Sequence, residues 1–152
     1  MSDFKRILLA EDDPRDIELT LTALGENKLA NEVVVARDGA EVLDYLRYQG
    51  EYQMRQKGNP AVILLDLKMP KVDGLQVLRE IRSDPYLKMI PVCVLTSSRE
   101  ERDLIESYNL GVNAYVVKPV GFKEFVTAVR EIGLFWVVLN VVPSGSQKSA
   151  GT

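Results

Sequence analysis

Residues 61–74 read AVILLDLKMPKVDG, and this stretch decides the fold. Its first five residues are apolar, the carboxylate of Asp66 follows them directly, and Pro70 turns the chain. A short continuous apolar run of this kind predicts a strand that is buried on both faces of a parallel sheet. We expect Asp66 at the C-terminal end of that strand, where open α/β sheets place ligands and chemistry. From this stretch alone, Asp66 could be a polar residue that faces solvent at a strand end, or a residue with a chemical role.

Strand and helix patterns alternate five times along the chain. Apolar runs predict strands at residues 7–10, 32–36, 61–66, 91–95 and 113–117. Apolar residues at helical spacing follow each run, and Asp13, Asp38 and Asp73 stand where helix N-caps are expected, with Gln76 completing a capping box. The alternation predicts one doubly wound (βα)5 α/β domain with a five-stranded parallel sheet. In the flavodoxin-like form of such a domain, which we expect here, the strand order is 2-1-3-4-5.

Composition excludes several functions. The chain has 152 residues, enough for one full domain, and its net charge of −3 comes from interspersed charges, so we expect no nucleic-acid partner. It contains no histidine, which rules out a Ser-His-Asp triad, a histidine metal site and a phosphohistidine on this chain. The single cysteine, Cys93, lies in an apolar run and favours a core position in a reduced, cytoplasmic protein.

Membrane insertion is not expected either. The N-terminal residues lack the apolar core of a signal peptide. The longest apolar stretch, residues 134–142, is far shorter than the ~20 residues that a membrane span needs.

Polar side chains stand at the C-terminal ends of four predicted strands. These are Glu11 and Asp12 after the first strand, Asp66 at the third, Thr96 at the fourth and Lys118 at the fifth. In the order 2-1-3-4-5 the first and third strands are neighbours, so the three carboxylates should crowd into one crevice. Because they repel each other, a hard divalent cation is expected there, and Mg²⁺ in particular. Lys118 offers a positive charge, and Thr96 a hydroxyl donor, for an anionic group.

Four motifs together resemble the receiver domain of two-component response regulators. They are EDD at residues 11–13, LLDLKMPKVDG at 64–74, LTSS at 95–98 and YVVKP at 115–119. Each motif is weak alone, but their order and their positions on the predicted elements make the combination specific. The resemblance covers residues 5–132.

The resemblance implies a role for each matching residue. Asp66 would be the phosphoacceptor, receiving a phosphoryl group from a phosphohistidine on a sensor histidine kinase or a histidine phosphotransfer protein. Phosphorylation would then switch the face formed by the fourth helix, fifth strand and fifth helix. The implied Mg²⁺ ligands are Glu11 (through water), Asp12, Asp66 and the backbone carbonyl of Lys68; the implied phosphoryl-binding and switch residues are Thr96, Lys118 and Tyr115, with a cis peptide before Pro119.

Three other functions agree with parts of the sequence. A phosphatase of the haloacid-dehalogenase type needs a second acid two residues after its nucleophile, and that position is Lys68. A receiver-like interaction module that is never phosphorylated would not need Asp66, Thr96 and Lys118 together. A phosphorelay intermediate that passes the phosphoryl group on remains an alternative output. We expect a phosphoacceptor and not an enzyme, with slow self-dephosphorylation at most.

The segments outside the motifs predict the domain organisation. We expect a receiver domain at residues 1–132, an apolar extension at 133–142 and a flexible tail at 143–152, with an exposed loop at residues 50–60. The extension carries Phe135 and Trp136, which should cover a surface, either on their own domain or on a second copy in a homodimer. The extension and the long loop are similar to those of single-domain regulators that partner phytochrome histidine kinases.

Overall fold

The strands form one parallel sheet in the computed structural model, which describes residues 6–26, 33–96, 109–112, 114–117, 123–124 and 127. The described elements are β1 (Ile7–Ala10), α1 (Pro14–Glu26), β2 (Val33–Ala36), α2 (Gly39–Arg47), a 3-10 helix (Gly50–Tyr52), β3 (Val62–Asp66), α3 (Gly74–Ser83), β4 (Val92–Thr96) and β5 (Ala114–Val117). Residues 123, 124 and 127 are helical. They fall in the predicted fifth helix, which the apolar residues Phe122, Phe125, Val126 and Val129 indicate by their spacing. The predicted fourth helix, the rest of the fifth and residues 133–152 lie outside the described residues.

The sheet order is β2-β1-β3-β4-β5 with all neighbours parallel, as the sequence predicted. The register pairs Ala10 with Leu65 and Asp66 with Leu95, so β1, β3 and β4 end at the same edge. Both β1 and β3 are buried at every position, because each lies between two strands and is covered on both faces. This explains why their sequences are continuous apolar runs without alternation.

Two apolar layers enclose the sheet, and alternate residues of each strand enter opposite layers. Leu8 and Leu65 pack in the layer that contains the buried residues of α2 and α3. Leu9 and Leu64 pack in the layer that contains those of α1. Helices therefore cover both faces of the sheet, which confirms the doubly wound fold. Cys93 lies in the second layer at 2% exposure, as predicted, and burial raises the pKa of its thiol to about 12.

The helix N-termini agree with the predicted caps in all but one respect. Asp13 Oδ1 accepts a hydrogen bond from the Arg15 N–H at 2.8 Å, and Asp38 caps α2 in a similar way. Asp73 Oδ1 accepts from the Gln76 N–H at 2.9 Å, but the second half of the predicted capping box is wrong. The Gln76 side-chain amide donates to Glu80 one turn further along α3, so it does not reach back to the cap.

The loop at residues 50–60 is more structured than its polar composition indicated. It begins with a 3-10 helix, and the guanidinium of Arg55 stacks between the rings of Tyr45 and Tyr48, 4.0 Å and 3.9 Å from their centroids. Arg55 Nε also donates to the Tyr45 carbonyl at 2.6 Å. These contacts attach the loop to the C-terminal half of α2. No described helix is long and apolar enough to cross a bilayer.

Candidate functional site

Three carboxylates meet where β1 and β3 end. One carboxylate oxygen from each of Glu11, Asp12 and Asp66 lies within 4.8 Å of the other two. Glu11 and Asp12 directly follow β1, Asp66 is the last residue of β3, and the two strands are paired neighbours. Glu11 and Asp66 are buried at 0% and 6% exposure, while Asp12 is exposed. The predicted acidic crevice is therefore present, with one side open to solvent.

Backbone groups orient the two buried carboxylates. Glu11 Oε2 accepts a hydrogen bond from the Asp13 N–H at 3.3 Å, and the Glu11 N–H donates to the Ala36 carbonyl at 3.0 Å. Asp66 Oδ1 accepts from the Lys68 N–H at 3.2 Å. Each acid is thus held by the first residues of the loop that follows its own strand.

The β3–α3 loop (residues 67–73) folds back tightly on the end of β3. The Gly74 N–H donates to the Leu67 carbonyl at 2.9 Å. A Cβ atom at Gly74 would lie 2.4 Å from the Leu67 Cα and 2.5 Å from the Asp66 carbonyl oxygen. Only glycine fits this close approach of two backbone segments. Gly74 was not among the residues predicted to matter, although the Asp-Gly pair at the start of α3 was a usable signal.

The structure describes two of the remaining predicted site residues, Thr96 and Tyr115. Thr96 is the last residue of β4 and pairs with Val117, so its backbone lies at the same edge as Asp66, which pairs with Leu95. Tyr115 lies in β5, half-buried against the layer that contains α2 and α3. Lys118, Pro119, Phe135 and Trp136 lie outside the described residues.

The donor set fits the predicted Mg²⁺. Three carboxylate oxygens from closely spaced acids suit a hard divalent cation, and the exposed side leaves room for water and a further oxygen ligand. Burying carboxylates beside one another is costly without positive charge, so this arrangement favours cation binding.

The sheet order and the acidic crevice define a doubly wound domain with a divalent-metal site at its switch point, and sequence comparison supplies the family. The profile of the response regulator receiver domain matches residues 7–130. The response regulator Rcp1 of Synechocystis sp. is 41% identical over 140 residues, which span 92% of this chain and 94% of Rcp1. The chain belongs to the response regulator receiver family.

Solved structures of the same family agree with the fold. The bacteriophytochrome response regulator RtBRR superposes with a TM-score of 0.80 at 62% identity, covering 95% of this chain and 87% of RtBRR. The phosphorylated cyanobacterial phytochrome response regulator RcpA gives 0.75 at 46% identity, covering 88% and 94% of the two chains. The Mn²⁺-bound form of Rcp1 gives 0.75 at 41% identity, covering 92% and 99%.

Proposed function

We propose that this chain is a phosphoryl-accepting response regulator in which Asp66 receives the phosphoryl group from a phosphohistidine of a sensor histidine kinase. The observation that carries the proposal is the cluster of Glu11, Asp12 and Asp66, with Asp66 at a buried strand end. An isolated solvating carboxylate would not need two further acids beside it. Membership of the receiver family supports the same role.

Asp66 acts as the nucleophile. One of its carboxylate oxygens forms a bond to phosphorus while the phosphorus–nitrogen bond of the phosphohistidine breaks. The imidazole, which carries a proton on its other ring nitrogen, leaves as a neutral ring with the electron pair of the broken bond. The product is an acyl phosphate on Asp66 and a free histidine on the donor. The Lys68 N–H, 3.2 Å from Asp66 Oδ1, helps to hold the carboxylate in one orientation for this attack.

Charge neutralisation is the main requirement of the transfer. Asp12, Asp66 and the Lys68 carbonyl would hold Mg²⁺ directly, and Glu11 would hold it through water. When bound, this ion neutralises the phosphoryl oxygens. Lys118 would pair with the same oxygens, as the family resemblance implies.

The switch would follow from the added charge. The Thr96 hydroxyl would donate a hydrogen bond to the phosphoryl group, and Tyr115 would move inward. These two changes would bias an existing equilibrium of the face formed by the fourth helix, β5 and the fifth helix. The family resemblance also implies a cis peptide before Pro119, which is not part of this switch.

The kinase partner that we propose is a phytochrome. Support comes from the relatives, since RtBRR is a bacteriophytochrome response regulator and RcpA a cyanobacterial phytochrome response regulator. The chain also covers 94% of the length of Rcp1. The receiver domain that we propose is residues 1–132, a range that includes the matched residues 7–130.

Phosphorylation is tested with two donors, acetyl phosphate and an autophosphorylated bacteriophytochrome kinase, followed by intact-mass measurement. Wild type should gain one phosphoryl group only when Mg²⁺ is present. Asp66→Asn should gain none, because the amide is not a nucleophile for phosphorus. Asp73→Asn is the matched control, since asparagine also serves as an N-cap, and it should be labelled as wild type is.

Each outcome of that experiment bears on a different part of the proposal. Label that survives in Asp66→Asn would put the acceptor elsewhere, and no label in wild type would favour an interaction module that is not phosphorylated. Label from acetyl phosphate but none from the phytochrome kinase would contradict the partner alone. Transfer onward to a histidine phosphotransfer protein would favour the phosphorelay alternative.

Residues 133–142 would serve as a homodimer contact through Phe135 and Trp136, with residues 143–152 as a flexible tail. Covering the apolar side chains of Phe135 and Trp136 with a second copy would lower the free energy of the assembly. Sedimentation should show a dimer for the full chain and a monomer for a chain truncated after residue 133. A dimer that persists after truncation would contradict this contact.

A further inference from the structure

The first turn of α2 and the β3–α3 loop are in direct backbone contact. A Cβ atom at Gly39 would lie 1.7 Å from the carbonyl oxygen of Val72 and 2.6 Å from its carbonyl carbon. The Gly39 N–H donates to the Pro70 carbonyl at 3.3 Å. No side chain fits between the two segments, so the backbone of α2 limits where the loop can lie.

An ion pair adds a second connection at the same place. Asp38 Oδ1 accepts from the Glu41 N–H at 2.7 Å, and its Oδ2 lies 3.5 Å from the Nζ of Lys71. Lys71 has a φ of 68°, a left-handed conformation that a residue with a side chain adopts only where its surroundings hold it. Three consecutive loop residues, 70–72, are therefore each contacted by Asp38 or Gly39.

The loop at residues 50–60 supports the same turn of α2 from another side. The Glu41 carboxylate accepts hydrogen bonds from the Arg37 N–H at 3.0 Å and from the Tyr52 hydroxyl. Burial, together with this hydrogen bond to Glu41, raises the pKa of Tyr52, so its hydroxyl stays protonated and continues to donate. A loop that looked like an exposed insertion thus contacts the helix start that holds the β3–α3 loop.

The loop so held contains the backbone position proposed as a metal ligand. Lys68 lies two residues before Pro70, and its N–H is bonded to Asp66 Oδ1. At the far end, the Gly74 N–H is bonded to the Leu67 carbonyl. The contacts of Asp38 and Gly39 fall between these two attachments, so a shift of residues 70–72 would move the Lys68 carbonyl relative to the carboxylates.

We propose that the first turn of α2 is a positioning element for the metal site, with Asp38 and Gly39 holding the β3–α3 loop so that the Lys68 carbonyl completes the Mg²⁺ shell. This inference rests on the proposed function, because it assumes that Mg²⁺ binds at the three carboxylates. Residues that orient metal ligands typically change metal affinity about 10- to 100-fold when they are substituted.

The test measures Mg²⁺ affinity by calorimetry and stability by urea unfolding without Mg²⁺, both on the full chain. Gly39→Ala should weaken Mg²⁺ binding at least about tenfold, because the loop must move away from the added methyl group. Asp38→Asn keeps the helix cap but removes the charge that faces Lys71, and it should weaken binding by about threefold. The control is Ile7→Val, at the opposite end of β1, which should lower stability and leave Mg²⁺ affinity unchanged.

The outcomes separate this inference from the function on which it rests. A wild-type chain that binds no Mg²⁺ would contradict the proposed function. A wild type that binds Mg²⁺ while Gly39→Ala and Asp38→Asn bind it equally well would overturn the positioning role alone. If Gly39→Ala does not fold, Asp38→Asn and Tyr52→Phe decide: weaker binding in either supports the inference, and unchanged binding in both overturns it.

Discussion

The two edges of the sheet carry opposite charges, and these charges have different neighbours. At the carboxyl edge, where β1 and β3 end, Glu11, Asp12 and Asp66 converge on one another. At the amino edge, where β4 and β5 begin, the half-buried guanidinium of Arg82 converges on backbone carbonyls. It donates from Nε to Leu110 and Gly111 at 2.8 Å and 3.0 Å, and from Nη1 to Lys88 and Ile90 at 2.8 Å and 3.0 Å.

The carboxyl edge favours metal binding, whereas the amino edge stabilises the fold. Like charges at the carboxyl edge raise the free energy of the metal-free fold and favour the binding of a cation. Charge-assisted hydrogen bonds at the amino edge lower the free energy of the fold without offering an obvious chemistry. Burial lowers the pKa of Arg82, but a guanidinium keeps its proton at neutral pH, so the contact persists. One sheet thus places a cluster of like charges at its carboxyl edge and a hydrogen-bonded cation at its amino edge.

Removing the arginine should have the larger effect on stability. Arg82→Ala leaves four carbonyls without their donor, and we expect the free energy of unfolding to fall by about 3 kcal/mol, with Mg²⁺ affinity unchanged. Urea unfolding measures the loss. Lys88→Ala, which removes an exposed cation nearby, is the control and should stay within about 0.5 kcal/mol of wild type. A change in Mg²⁺ affinity with Arg82→Ala would break the separation between the edges.

Removing an acidic side chain should change the free energy of unfolding by a smaller amount and in the opposite direction. Asp12→Asn relieves repulsion in the crevice, and we expect it to raise the free energy of unfolding by about 0.5 to 1 kcal/mol in EDTA. In Mg²⁺ at about 100 times the wild-type Kd, wild type gains about 2.7 kcal/mol and becomes the more stable chain. The control is Asp84→Asn at the amino edge, whose stability relative to wild type should not depend on Mg²⁺. If Asp12→Asn were less stable than wild type in EDTA, the acids would not repel in the way inferred.

Much of the carboxyl edge could be predicted from the sequence. Continuous apolar runs predicted β1 and β3, and the acids that follow them predicted the crevice, because the carboxyl ends of neighbouring parallel strands meet at one edge. The helix caps at Asp13, Asp38 and Asp73 were also predicted, since capping depends on residues within one turn. The Gln76 side chain was assigned wrongly because two partners within one turn compete for it, and local spacing does not choose between them.

The contacts that hold these parts together could not be predicted. Arg55 between two tyrosine rings, Arg82 on four carbonyls and Gly39 against Val72 each join segments that are distant in the chain or oriented only by packing. A glycine in a helix or an arginine in a polar loop has the same local signature whether or not another backbone lies against it. Strand order, the acidic crevice and its expected cation therefore follow from the sequence through periodicity and topology. The support of the β3–α3 loop, and the opposite use of charge at the two edges, were decided only by the tertiary structure, because they depend on which distant atoms come within contact distance.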